Sequence, residues 1–136
     1  MRPLGIIEGD LTGLNWPMGI DVDLVHNEIG VANYGDSSVR IFRRAASGNV
    51  QAVRIIRGAL TQIVGPISVA IDAKNDELWV ANYGDHTAVV FARTASGNVK
   101  PKRIIRNAPV NTPTCGFTNA SAAAYDSKRD AILVPN

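Results

Sequence analysis

The hexapeptide VANYGD stands at residues 31–36 and recurs unchanged at residues 80–85. The same offset of 49 residues carries ASGNV from 46–50 to 95–99 and RIIR from 54–57 to 103–106. Between Glu28–Gly58 and Glu77–Asn107, 18 of 31 positions are identical without a gap. Upstream, PMGIDVD at 17–23 falls on PISVAID at 66–72, and GIIEG at 5–9 falls on RIIRG at 54–58. Downstream the register slips: YDSKRDAILVPN at 125–136 matches IDAKNDELWVAN at 71–82 with an offset of 54, which puts a five-residue insertion near TNASAAA. Self-similarity at such a period marks an array of supersecondary units, and the content of one unit decides which array it is.

One unit reads as four short strands. PISVAID and ELWVAN are apolar, β-branched runs separated by the polar turn AKND, the pattern of a hairpin. TAVVFAR follows the tight YGDH turn, and KRIIR follows the longer TASGNVKP loop. No segment carries the i, i+3, i+4, i+7 apolar stripe of a helix over three turns. Four strands at a period in the forties is the content of a β-propeller blade, a four-stranded antiparallel meander. The expected fold is therefore all-β. Its units cover approximately 17–58, 66–107 and 115–136, with an N-terminal strand at 4–8 that stands where the last strand of a preceding blade would. That sequence supplies about two and a half to three blades, eleven strands in all, whereas a closed propeller needs four to eight blades of four. The chain is thus expected either to be part of a longer propeller or to dimerise into a ring of about six blades.

GIDVDLVHNEIGVANYGDSSVRIF and PISVAIDAKNDELWVANYGDHTAVVFARTASGNVKPKRII resemble the bacterial propeller repeats related to NHL and YVTN repeats. The similarity runs over nearly the whole chain. Departures include Gly30 where the second unit has Trp79, and TCGFTNASAAAYD in place of a clean first strand. Propellers of this kind include enzymes, sensors and scaffolds, so the resemblance implies a fold and leaves function to the site.

Composition narrows the remaining classes. With 46% hydrophobic and 19% charged residues among 136, the chain has the balance of a globular domain. The single cysteine, Cys115, excludes an intramolecular disulfide and a cysteine-built zinc or iron–sulfur centre. No apolar run approaches a membrane span and MRPLGIIEGD lacks a signal-peptide h-region, so the expectation is a soluble, unexported chain, cytoplasmic by default. Phosphate-loop, nucleophile-elbow and HExxH motifs are missing. The expected role is a non-enzymatic binding or assembly module without a cofactor, its partner a second copy and a small-molecule or protein ligand. A metal-dependent hydrolase or lyase of the six-bladed kind is the alternative.

Antiparallel connectivity places the loops after the second and fourth strands of each unit on one face, and the candidate ligand residues gather there. They are Asn15 and Trp16, Tyr34 and Asp36, Tyr83, Asp85 and His86, and Thr114 with Cys115. Asp36 and Asp85 read first as turn residues beside glycine, and Tyr34 and Tyr83 as packing residues with a bonded hydroxyl. Trp16 and His86 are more informative because the repeat has Gly65 and Ser37 in their places. Cys115 lacks an evident base and reads as a buried thiol. His26 belongs to the opposite face. The net charge is +2, yet residues 37–57 and 86–106 hold ten basic residues and no Asp or Glu. Arg54, Arg57, Arg103 and Arg106 therefore raise a further alternative, an acidic or nucleic-acid partner, against the plainer reading of charged edge strands.

Overall fold

The computed structural model describes residues 1–106, 123–126 and 128–133. The described chain is all-β and forms three antiparallel sheets of four, four and two strands. The first sheet holds β1 (Pro17–Asp23), β2 (Glu28–Asn33), β3 (Ser38–Arg43) and β4 (Arg54–Ile56), each beside the next. The second repeats this order with β5 (Pro66–Asp72), β6 (Glu77–Asn82), β7 (Thr87–Ala92) and β8 (Arg103–Arg106). A third hairpin follows, β9 (Ala124–Asp126) with β10 (Ala131–Leu133).

The hairpin turns share one device. Asp23, Asp72 and Asp126 end the first strand of each unit, and each accepts the backbone N–H groups two and three residues on, at 2.8–3.3 Å. The left-handed residues closing these turns are Asn27, Asp76 and Asp130, types that tolerate positive φ. Carboxylate and turn thus set the register, in which Ile20 faces Val31 and Val69 faces Val80.

The two four-stranded sheets stack face to face. Ala32, Val39, Ile41 and Ile56 of the first meet Val69, Ile71, Leu78, Val80, Val89 and Phe91 of the second in one buried cluster. Gly30 sits at its centre, where a Cβ would lie 3.3 Å from Ile71 Cδ1 and 3.4 Å from Val69 Cγ2, so the missing side chain sets the sheet spacing. Burial of each large side chain here stabilises by about 1.5–3 kcal/mol relative to exposure. The contrast across the repeat is sharp: Val69 is 2% exposed against the first sheet, while its counterpart Ile20 is 67% exposed.

Polar contacts lock the stacked sheets in place. Glu28, buried at the start of β2, takes both guanidinium nitrogens of Arg54 at 2.7 Å from its own sheet, and Arg93 of the second sheet at 3.3 Å. Arg93 also bonds Asp76 at 2.6 Å. Asp21 crosses the same boundary to accept the Ile71 N–H at 2.7 Å. At the sheet edge, Ile56 makes a parallel bridge to Gly97, and Asn98 Oδ1 accepts the Leu60 N–H at 2.8 Å.

The N-terminus repeats this edge contact and corrects one expectation. Residues 4–8 do not form a strand. Ile7 makes a single parallel bridge to Gly48, and Asn49 Oδ1 accepts the Leu11 N–H at 2.8 Å. Among the described residues no antiparallel neighbour lies beside this segment, so its ladder stops at one bridge. The connection after β4 and the N-terminal segment thus clasp the following ASGNV loop in the same way.

Hydrogen bonding from Arg54 outweighs the burial of Glu28 and holds its carboxyl below the usual glutamate range. A depressed carboxylate contributes stability that is present above its ordinary titration range and is lost as pH falls through the folded value. Glu28→Gln is expected to destabilise by about 3 kcal/mol, because the partly buried Arg54 loses its counter-charge while Arg93 keeps only Asp76. Urea titrations at several pH values should also show a shallower decline of stability in acid for the variant than for the parent.

Candidate functional site

VANYGD is accounted for atom by atom. The valine and alanine fill the sheet core. Fully buried Asn33 accepts the Asn15 N–H at 2.7 Å and donates to the Gly13 carbonyl at 3.1 Å, tying the incoming loop to the end of β2. Asn82 does the same with the Val64 N–H at 3.1 Å and the Gln62 carbonyl at 2.8 Å. The Tyr34 and Gly35 N–H groups bond the Trp16 and Asn15 carbonyls, and those of Tyr83 and Gly84 bond Gly65 and Val64. Each asparagine closes a loop that would otherwise leave backbone groups unpaired.

Asp36 accepts from Asn33 at 2.6 Å, Ser38 at 2.5 Å and Arg40 at 2.8 Å. Burial works to raise its pKa, but these hydrogen bonds outweigh it and hold the carboxyl below the usual aspartate range. Asp85 keeps only the Thr87 hydroxyl, at 2.7 Å, of the same set, because the repeat has Val89 in place of Arg40. The left-handed residue of each turn is the one after the aspartate, Ser37 at φ 51° and His86 at φ 56°.

Aromatic side chains gather on the loop face across the boundary between the two sheets. Trp16 is 73% exposed and its ring lies 6.1 Å from that of Tyr34, centroid to centroid. Tyr34 lies against Gly65, where a Cβ would stand 3.1 Å from the tyrosine ring. The Gly65 carbonyl accepts the Tyr83 N–H, and Tyr83 meets His86 edge-on at 6.3 Å. Trp16 with Tyr34 and Tyr83 with His86 therefore form two ring pairs, with Gly65 touching the Tyr34 ring and bonding the Tyr83 backbone. Trp16 holds φ 51°, the left-handed conformation that its counterpart Gly65 takes at φ 55°. A bulky residue in that region is an outlier, and such outliers gather at ligand sites.

Other candidates lie apart from these pairs. Asn15 serves the loop through its backbone and packs its amide against Gly35. Thr114 and Cys115 lie outside the described residues. His26 bonds Asp23 through Nδ1 at 2.7 Å on the opposite face. Arg54 and Arg103 do not present a free basic rim: Arg103 forms a two-pronged pair with Glu77 at 2.9 and 2.6 Å, as Arg54 does with Glu28. Arg57 lies 3.7 Å from Asp36, and Arg106 bonds Gln62 at 3.3 Å. The glutamates come from residues just outside the acid-free segments, which is why counting charge along the chain misses them. Among the described residues no three His, Cys, Asp or Glu side chains gather as a metal site, so the hydrolase alternative finds no donor set there.

No family model and no curated protein matches the chain. Among solved structures it is similar to a chain of Kuenenia stuttgartiensis hydrazine synthase, at 14% identity and a TM-score of 0.61, over 94% of this chain and 30% of that one. The likeness concerns the fold alone, and this chain spans less than a third of that neighbour. The three antiparallel sheets are compatible with a β-propeller-like architecture.

Asn33→Ala is expected to destabilise by about 1–3 kcal/mol through unpaired buried backbone groups. Asp85→Asn is expected to change stability by less than about 0.5 kcal/mol, as exposed substitutions do. Thermal melts of both variants separate the buried loop-closing asparagine from the exposed turn aspartate.

Proposed function

We propose that the chain is a non-enzymatic binding and assembly module built of β-propeller blades of the NHL and YVTN kind. In this reading its loop face receives a ring-bearing small molecule or protein side chain at the Trp16–Tyr34 pair, with the Tyr83–His86 pair on the same face. The observation that carries the proposal is Trp16. It is exposed, it holds a backbone conformation that disfavours it, and it replaces a glycine that the repeat shows to be adequate for the fold. A residue retained against backbone preference and against burial points to a contact made with something else.

Assembly is supported by the two ends of the described arc. The first sheet leaves Ile20 and Val22 uncovered, and their counterparts in the second sheet, Val69 and Ile71, are those that pack on a neighbour. The N-terminal segment bridges Gly48 as the end of β4 bridges Gly97, in the edge position of a blade's last strand. A second copy placing its third hairpin beside that segment would extend the arc, and two copies would close a ring of about six blades.

Light scattering tests the assembly: twice 14.5 kDa is expected, and a stable species of the single mass overturns it. Trp16→Gly tests the site. Release of left-handed strain is worth about 1–2 kcal/mol and offsets the lost ring pair, about 0.5–1.5 kcal/mol, so stability should stay within about 1 kcal/mol of the parent. A tryptophan retained for packing would instead lose about 3–5 kcal/mol. Indole and p-nitrophenol, titrated as ring probes, are expected to shift amide resonances of Tyr34, Gly65 and Tyr83 in the parent and not in the variant.

A further inference from the structure

The two ASGNV loops, at 46–50 and 95–99, each hold one upstream segment, residues 6–12 on the first and 55–61 on the second. They hold it with the same bonds. The Gly48 N–H donates to the Ile6 carbonyl at 2.6 Å and the Gly48 carbonyl accepts the Glu8 N–H at 3.2 Å, and Gly97 does this with Ile55 and Arg57 at 2.7 and 3.2 Å. Asn49 Oδ1 takes the Leu11 N–H at 2.8 Å, as Asn98 Oδ1 takes that of Leu60. Between these anchors stand Gly9, at φ 109° and ψ 168°, and Gly58, at φ 126° and ψ 169°, a region essentially confined to glycine. A Cβ on either would run into the asparagine side chain, at 2.6 Å for Gly9. Thr12 and Thr61 then close a turn on the glycine carbonyl, each through its hydroxyl and its N–H. The two segments share I-I-x-G-x-L-T and differ only at x, Glu8 and Asp10 against Arg57 and Ala59.

We infer that the ASGNV loop is a recognition site for segments of the form I-I-x-G-x-L-T, and that the first loop accepts this segment from a second copy of the chain in place of residues 6–12. Main-chain bonds supply the affinity. Selectivity comes from the glycine, which alone fits against Asn49, and from the leucine N–H, which the same asparagine accepts. Neither contact depends on the segment being covalently joined to the loop. The first loop is the exchangeable one because its occupant is held with less burial. Ile56 is fully buried, whereas its counterpart Ile7 is half-buried and Ile6 is 52% exposed. Main-chain bonds and Asn49 thus carry most of the hold on residues 6–12, and elements attached in that way open at lower free energy than the core. A second copy brings the identical segment, and exchange of identical elements preserves every bond. The sequence also contains a counter-example of the motif at 104–110, where Asn107, Pro109 and Val110 replace the glycine, leucine and threonine. Proline has no N–H to offer and asparagine brings a Cβ.

The probe is the synthetic peptide GIIEGDLTG, residues 5–13 of this chain. Two full-length variants clear the first loop by different routes: Gly9→Val spoils the fit of the chain's own segment, and Leu11→Pro removes the N–H that Asn49 takes. The core amides of Val39 and Val80 report that each remains folded. Both variants are expected to bind the peptide about tenfold or more tightly than the parent, whose own segment competes. Binding is read as shifts of the Gly48 amide and the Asn49 side-chain amide. The peptide GIIENDPVG, which carries the three departures of 104–110, should bind about tenfold or more weakly than GIIEGDLTG. Asn49→Ala added to Gly9→Val should abolish binding. Mixing tests the second copy as donor: Asn49→Ala protein has an intact segment and a crippled loop, so it should shift Gly48 of labelled Gly9→Val protein. The inference is overturned if GIIEGDLTG leaves these resonances of both cleared variants unmoved at millimolar concentration, if the two peptides bind alike, or if the mixture shows no shift. Neither ring closure nor the ring pairs enter this experiment, and a Trp16→Gly change in the cleared variants should leave peptide binding as it was.

Discussion

Each four-stranded sheet in this chain has apolar residues on both faces, and the two sheets bury one face of each against the other. That constraint organises the rest of the molecule. The back of the first sheet supplies Ala32, Val39, Ile41 and Ile56, and the front of the second supplies Val69, Ile71, Leu78, Val80, Val89 and Phe91. Both sets come from the same repeat read on its two faces, since alternate residues of a strand point to opposite sides. A single unit would therefore be amphipathic in neither sense and marginal alone. The fold begins at the contact between units.

Apolar contact is non-directional, so alignment of the sheets must come from elsewhere. Polar groups at three points supply it. Glu28 is held from both sides by Arg54 and Arg93, Asp21 reaches the backbone of β5, and Asn98 receives the Leu60 N–H across the edge. Each requires the sheets to stand at one offset, since a carboxylate or amide displaced by one residue would face apolar side chains. Burial of a charge costs several kcal/mol unless it is paired, so a slipped arrangement would be penalised where the native one is satisfied.

Much of this architecture was legible in the sequence, because the repeat reports it twice. The offset of 49 marked the four strands of each unit and the turns between them, and the hairpin aspartates stand where the polar turns were read. The N-terminal strand over 4–8 was overread: its sequence copies that of β4, but a strand needs a partner, and only the clasp to Gly48 remains. The candidate face was partly legible. Trp16 and His86 stood out as departures from the repeat, and Tyr34 joins them through Gly65. Glu28 and Glu77 escaped notice as single letters within a block of identities. Their importance arises from burial against arginines far along the chain, which local pattern does not encode.

The same logic explains why the second sheet does not simply repeat the first on its outer side. Gly30 leaves room for Val69 and Ile71, whereas Trp79 at the equivalent position fills that room and carries Arg103 over its ring at 5.3 Å. Val53 becomes Lys102, which brings Glu77 a second cation from within its own sheet. Both changes relieve the second sheet of needing the neighbour that the first sheet requires, one sterically and one electrostatically. The contact that remains is lighter: Ala70, Ala81 and Ala123 pack with Trp79, and Lys74, Asn75 and Tyr125 gather on Asp130. Among the described residues, small side chains and an exposed polar cluster make up this junction where the first uses a broad apolar cluster.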